Sequence, residues 1–230
     1  MPEAPPPRHA VPDPVLARLP AGTDVWRAHH ERFQDCLFNR IPRDSQFTDG
    51  RFSGMLPDPF GYCYIGLSPA TALMERHVRS VPYSDTGYRA IGRAGLEGGM
   101  LSRYSLTHDL DVVSLCTEAE LAAVCQDEWL LRAEGHDHAK TRRWGQWIRQ
   151  HTPRAQGLLW PAKREVGGYA VVLFEDRCPN PPLRLVGSPL RVLGNEDGVN
   201  EFLAPYRVVI PLAPARTRLS RGDGPGTIRA

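Results

Sequence analysis

The stretch from Gly50 to Arg79 constrains this chain most. It opens with GRFSG and continues, after a short proline-containing link, as GYCYIGLSPATALMERHVRS. Tyr62 to Leu67 is an apolar run of the length and composition of a buried strand. Ser68 is a favourable N-cap. Pro69 suits the first helical position, where its missing N–H has no intrahelical acceptor to lose. The pattern therefore predicts a strand, a tight turn and a helix that runs until before Pro82. Glu75 lies on that helix three residues after Ala72, beside an apolar stripe, so it is expected to point inward. Arg51 precedes the unit and Tyr64 lies within its strand.

Elsewhere the chain reads as a series of strands with few helices. DVWRAH (from Asp24), MLSRYSLT, LDVVSL, YAVVLFED, LRVLG and YRVVIPL have strand character, with a turn at His108-Asp109 between the second and third, and GLLWPAKRE leads into YAVVLFED. TEAELAAVC (117–125) reads as a helix whose Thr117 and Glu120 form a capping box. KTRRWGQWIRQH (140–151) reads as a second, amphipathic helix. Strands outnumber helices and do not alternate regularly with them. The expected class is α+β with a mixed or mostly antiparallel sheet, rather than repeated βαβ units. Residues 1–22 are expected to be a proline-rich disordered tail, 23–212 a single domain, and 213–230 a second disordered tail. RIPRDSQFTDG (40–50) reads as turn-rich.

Charge and cysteine usage narrow the function classes. A formal net charge of +2 gives no reason to expect nucleic acid as a partner. No run approaches the ~18 apolar residues of a membrane span. MPEAPPPRHAVPDP contains no apolar core of signal-peptide length, so the protein is expected to be cytoplasmic. The five cysteines (Cys36, Cys63, Cys116, Cys125 and Cys178) form no CxxC pair and read as buried reduced thiols.

Arg27, Arg51, Tyr64 and Glu75 form the main set of candidate functional residues. A guanidinium can bind two phosphate or carboxylate oxygens at once, and an aromatic ring can stack on a base. A carboxylate facing a sugar's anomeric carbon stabilises an oxocarbenium-like transition state. Cleavage of the bond between nicotinamide and ribose needs these parts. The same residues also have bland readings: an arginine after a turn is often a surface ion-pair partner, and a helical glutamate is most often solvated.

The ordered set Trp26-Arg27, Gly50-Arg51-Phe52, Tyr64, and Ala72-Leu73-Met74-Glu75 resembles the RES-domain family. SLTHDLDVVSL, the tryptophan-bearing helix, GLLWPAKRE and AVVLF match it further, so the resemblance spans roughly residues 23 to 185. It implies an ADP-ribosyltransferase-like fold, with a split sheet around an NAD-binding cleft. It also implies an NAD+-degrading toxin that acts by hydrolysis or by phosphorolysis, paired with an Xre-type helix-turn-helix antitoxin. NAD+ would be the substrate, inorganic phosphate a candidate co-substrate, and no metal is expected. By position, Arg27 and Arg51 would contact the phosphates or ribose, Tyr64 would line the pocket, and Glu75 would be the catalytic acidic residue. Homodimerisation is plausible for the family.

One departure stands out. The family's serine falls in an element that here reads Gly157-Leu158-Leu159-Trp160-Pro161-Ala162, so Ala162 stands where serine is expected. A methyl cannot hold a ribose or phosphate oxygen, and one lost hydrogen bond is worth about 0.5–1.5 kcal/mol. Lys163 or Arg164 could supply a replacement donor, and Trp160 belongs to the same candidate pocket. The alternatives are a weakened enzyme, a non-catalytic NAD- or ADP-ribose-binding module, or transfer of ADP-ribose to protein.

Other constellations carry less. His136-Asp137-His138 lacks a nearby third metal ligand. Trp144, Trp147 and Ile148 fall on one helical face and read as core rather than as a nucleic-acid surface. His29-His30 reads as a surface pair, and Arg221-Gly222-Asp223 as a chance match in a tail. GRAGLEGG (92–99) lacks the setting of a phosphate-binding loop.

Overall fold

A computed structural model of the chain describes residues 4–33, 37–41, 50–56 and 58–211. Its strands are β1 Leu16–Leu19, β2 Asp24–His30, β3 Tyr62–Gly66, β4 Arg89–Ala90, β5 Gly99–Leu106, β6 Leu110–Ser114, β7 Gly157–Pro161, β8 Tyr169–Phe174, β9 Leu183–Arg191 and β10 Val208–Val209. Its α-helices are α1 Pro69–Leu73, α2 Glu118–Ala123, α3 Trp129–Arg132, α4 His138–His151 and α5 Glu196–Leu203. An eight-stranded sheet runs β1-β6-β7-β8-β3-β2-β5-β9, and β4 and β10 form a separate parallel pair. Within the large sheet β6 and β7 are parallel and the other neighbours antiparallel. This is the mixed α+β architecture expected of an ADP-ribosyltransferase-like fold.

Period-two alternation decides which side chains meet. On β8, Ala170, Val172 and Phe174 join a core with Phe52, Tyr62, Trp144, Ile148 and Trp160. Val171 and Leu173 join a second core on the other face, with Val25, Cys63, Ile65 and Leu110. A third core packs Leu73, Met74 and Val78 against Leu101, Val199, Leu203 and Val208. Trp26 of β2 lies opposite Gly66 of β3, so Trp26, Ala28, Tyr62 and Tyr64 share one face. That pair is the sole in-register contact between β2 and β3 among the described residues. Beyond it the two halves of the sheet no longer pair. The first and third cores therefore lie on the same face, one on each side of the split.

The strand–turn–helix unit forms as the sequence predicts. The Ser68 hydroxyl accepts from the Thr71 N–H at 2.9 Å. A Cβ on Gly66 would sit 2.6 Å from the Ala72 nitrogen, so α1 can fold back onto the strand end only because that residue is glycine. The Thr117–Glu120 capping box on α2 is also present.

Four expectations need correction. The leading segment is not structureless through residue 22. Leu16–Leu19 forms β1, paired with β6 from Leu16↔Val113 to Leu19↔Leu110, and Arg18 binds Asp111 at 2.9 Å. The helix after Ser68 stays α-helical only to Leu73 and continues as a π-helical turn, Met74–Val78. LRVLG lies at the end of β9 rather than forming a strand of its own. YRVVIPL contributes only the two residues of β10, outside the main sheet. The segment after residue 211, most of 40–50, and Cys36 lie outside the described residues. Cys63, Cys116, Cys125 and Cys178 are free thiols.

Candidate active site

A cavity of about 760 Å3 opens at the split in the sheet. That is within the range of small-molecule sites. Tyr62, Tyr64, Trp160 and Ala170 come from the strands on one side and Ala28 from β2 on the other. Arg51 enters from the preceding turn, and Glu75, Arg76, His77 and Arg79 come from the π-helical turn and its end. Single π-turns inside α-helices are frequent at functional sites, and the wider turn re-aims side chains relative to a regular helix.

Glu75 is the centre of this arrangement. Its Oε2 accepts from Arg51 Nη2 at 2.9 Å and from the Trp160 indole N–H at 3.4 Å, and lies 3.5 Å from Arg79 Nη1. Its Oε1 accepts from the Lys163 backbone N–H at 2.9 Å. Burial pushes the carboxyl upward, but Arg51, Arg79 and the two N–H donors outweigh it and hold Glu75 below the usual carboxylate range. The group is therefore ionised at neutral pH.

The surrounding positions are equally constrained. Arg51 is buried; its Nη1 donates to the Leu131 carbonyl and its guanidinium lies 5.1 Å from the Trp160 ring centre. Burial, together with the like charge of Arg79, lowers Arg51 to about 10 against the pull of Glu75, so it stays charged. The Tyr64 hydroxyl accepts from the Phe52 N–H at 2.8 Å, and burial raises its pKa and keeps the phenol neutral. Phe52, Tyr64 and Trp160 pack edge to face, with ring centres 5.1 Å and 6.1 Å apart.

Of the predicted site residues, the structure brings together Arg51, Tyr64, Glu75 and Trp160. Arg27 is not among the residues lining the cavity. It shares with Val25 and His29 the opposite face of β2 from Trp26 and Ala28, and its Nη1 donates to the Phe33 carbonyl at 3.2 Å. Its charge still reaches Arg76, which burial first, then Arg27 and Arg32, hold below the usual arginine value. Ala162 is buried and is not among the residues lining the cavity, and its N–H donates to the Gly168 carbonyl. Lys163 serves Glu75 through its backbone while its ammonium pairs with Glu134, and Arg164 Nε donates to the Arg79 carbonyl at 3.0 Å.

The loop that carries these three residues is pinned to α1. Ser68, Thr71 and Tyr206 all donate hydroxyl protons to the Glu165 carboxylate. His138, offered above only as a weak metal ligand, also lines the cavity, and no cluster of metal-ligating residues occurs among the described residues.

Sequence reasoning missed Arg79, Glu134 and the Leu131 carbonyl. Arg79 had a readable signal, since it falls four residues after Glu75 on the same helix. The Leu131 carbonyl had none.

The chain matches the RES domain family model over residues 24–192. Its fold is similar to that of a chain in the crystal structure of the M. tuberculosis MbcT–MbcA toxin–antitoxin complex. The TM-score is 0.55 at 19% sequence identity, covering 81% of this chain and 92% of that one. A search of curated proteins found no match.

Proposed function

Because the chain belongs to the RES domain family, we propose that it degrades NAD+, releasing nicotinamide, and serves as the toxin of a toxin–antitoxin pair. The observation that carries this reading is the placement of Glu75, a part-buried carboxylate in an aromatic-lined cavity between Arg51 at 2.9 Å and Arg79 at 3.5 Å, which keep it ionised. Enzymes that cleave O-glycosides need a protonated acid for the leaving group, which requires a raised carboxyl pKa. Nicotinamide bonded to ribose is a pyridinium. When the bond from the ribose anomeric carbon to nitrogen breaks, the electron pair stays on nitrogen and the leaving group departs neutral. No proton donor is needed. What the reaction does need is a negative charge beside the developing oxocarbenium, and an ionised Glu75 supplies it.

The remaining residues fit the rest of the substrate. Tyr64 offers its ring to the planar base, with Trp160 buried against it. Arg76, exposed on the cavity wall, offers a guanidinium to the diphosphate, while Arg51, engaged with Glu75 and the Leu131 carbonyl, adds positive charge beside it. Water or inorganic phosphate then attacks the anomeric carbon, giving ADP-ribose or its 1-phosphate. An Xre-type helix-turn-helix antitoxin is the proposed partner. The fold likeness to a chain of the MbcT–MbcA complex supports an antitoxin partner. The test is to incubate purified protein, freed of any partner, with NAD+ in the presence and absence of phosphate, and to follow nicotinamide release by chromatography. NAD+ left intact under both conditions refutes the enzyme reading.

Ala162 favours a second reading, a binding module that kept the scaffold without turnover. Calorimetry with NAD+ or ADP-ribose that shows binding without cleavage would support it.

A further inference from the structure

The cavity contains a cation that the proposed reaction does not use. Arg79 sits one turn after Glu75, with a side chain 11% exposed. Its Nη2 donates to two carbonyls at the end of α3, Leu131 at 2.8 Å and Ala133 at 3.0 Å. Its Nε and Nη1 are buried and have no hydrogen-bond partner among the described residues, and Nη1 faces Glu75 Oε2 at 3.5 Å. No donor of this guanidinium is therefore open to a ligand. The Leu131 carbonyl also holds Arg51, so one peptide oxygen fixes both arginines that flank the carboxylate.

We propose that Arg79 is a positioning residue: braced by the Leu131 and Ala133 carbonyls, it fixes the Glu75 carboxylate toward the cavity and acts on substrate only through Glu75. The ionic contribution is consistent with this, since Arg79 follows Arg51 among the groups that draw the Glu75 carboxyl down against its burial. The charged and titratable groups around Glu75 are Arg51 from the preceding turn, Tyr64 from β3, Arg79 from its own helix, Arg132 and Glu134 around the end of α3, and Lys163 after β7. Arg79 and Arg51 are the two whose charges pull on Glu75 directly.

The effect on turnover rests on the NAD+-cleaving reading; the effect on Glu75 does not. The protein is labelled with 13C at the glutamate carboxyls, and the Glu75 resonance, assigned by its loss in Glu75→Gln, is titrated. In Arg79→Met the midpoint is expected to rise by about one pH unit or more. Arg79→Lys, which keeps the charge but cannot span two carbonyls and a carboxylate, should hold the midpoint near wild type. NAD+ cleavage should be slowed in both variants, through kcat more than KM, with the acidic limb of the rate profile displaced upward only in Arg79→Met. An unchanged Glu75 midpoint in a folded Arg79→Met overturns the proposal. If that variant does not fold, Arg79→Gln carries the same comparison. A moved midpoint in a protein that leaves NAD+ intact upholds the role of Arg79 and refutes only the proposed reaction.

Discussion

Replacing Glu75 with glutamine should cost stability as well as activity. The substitution keeps an acceptor oxygen for the Lys163 N–H but removes the negative charge between Arg51 and Arg79, whose side chains are 4% and 11% exposed. Two buried cations then face each other without a counter-ion. Removing one partner of a buried pair costs about 3–5 kcal/mol. The 15% exposure of Glu75 and the carbonyl acceptors of Leu131 and Ala133 place this case at the lower end, about 3 kcal/mol. For a domain of this size that corresponds to a fall in Tm of about 6–12 °C. Arg51→Met relieves the repulsion, so the Glu75→Gln, Arg51→Met double variant should be more stable than the two single costs predict, by about 1–2 kcal/mol. Urea denaturation reads both numbers through the midpoint, provided the slope is unchanged. Nicotinamide release by Glu75→Gln should fall by about 10²–10³, as for other oriented electrostatic stabilisers. A Glu75→Gln midpoint equal to wild type, or strictly additive costs in the cycle, would refute the charge-balance reasoning.

Three further outcomes follow from the geometry. Burial, with help from Arg27, holds His29 neutral down to about pH 4, and burial with Arg76 does the same for His77. The unfolded chain binds protons that the folded one refuses, so this contribution is complete above pH 6.5 and is lost as pH falls from 6.5 towards 4. The urea midpoint should decline across that window, and less steeply in His29→Gln or His77→Gln; a flat wild-type profile would count against desolvated imidazoles. Trp160→Phe keeps the edge contact with Phe52 but deletes the indole N–H that reaches Glu75, so it should cost about 1 kcal/mol of stability and slow NAD+ loss by roughly tenfold. Wild-type turnover in that variant would show the N–H to be idle. Gly66→Ala places a methyl 2.6 Å from the Ala72 nitrogen and 3.0 Å from the Ser68 oxygen, and backbone cannot step aside as a side chain can. Calorimetric melting should register a loss of about 1–3 kcal/mol, with activity falling because Glu75 rides on the displaced helix.

What the sequence determined by itself is local. The Ser68 and Thr117 caps and the helix bearing Trp144 and Ile148 rest on interactions between residues a few positions apart, the strands β5, β6 and β8 are legible as runs of consecutive strand-forming residues, and all are where the pattern puts them. The juxtaposition of Arg51, Tyr64 and Glu75 could be anticipated because one strand–turn–helix unit carries two of the three. Tertiary structure alone decided the rest. LARL looks like part of a proline-rich tail until β6, 93 residues on from Arg18, supplies Asp111 and a strand edge. Arg27 reads as a partner of Arg51, yet alternation along β2 and the single β2–β3 pair send it to the other face. The Leu131 carbonyl carries no side-chain identity at all, and it still anchors both arginines beside Glu75. Capping and periodicity are properties of neighbours in the chain, whereas register, sheet splitting and backbone acceptors depend on where segments far apart in the chain come to rest, from Trp26 and Gly66 at the split to Arg51 and Leu131 in the site.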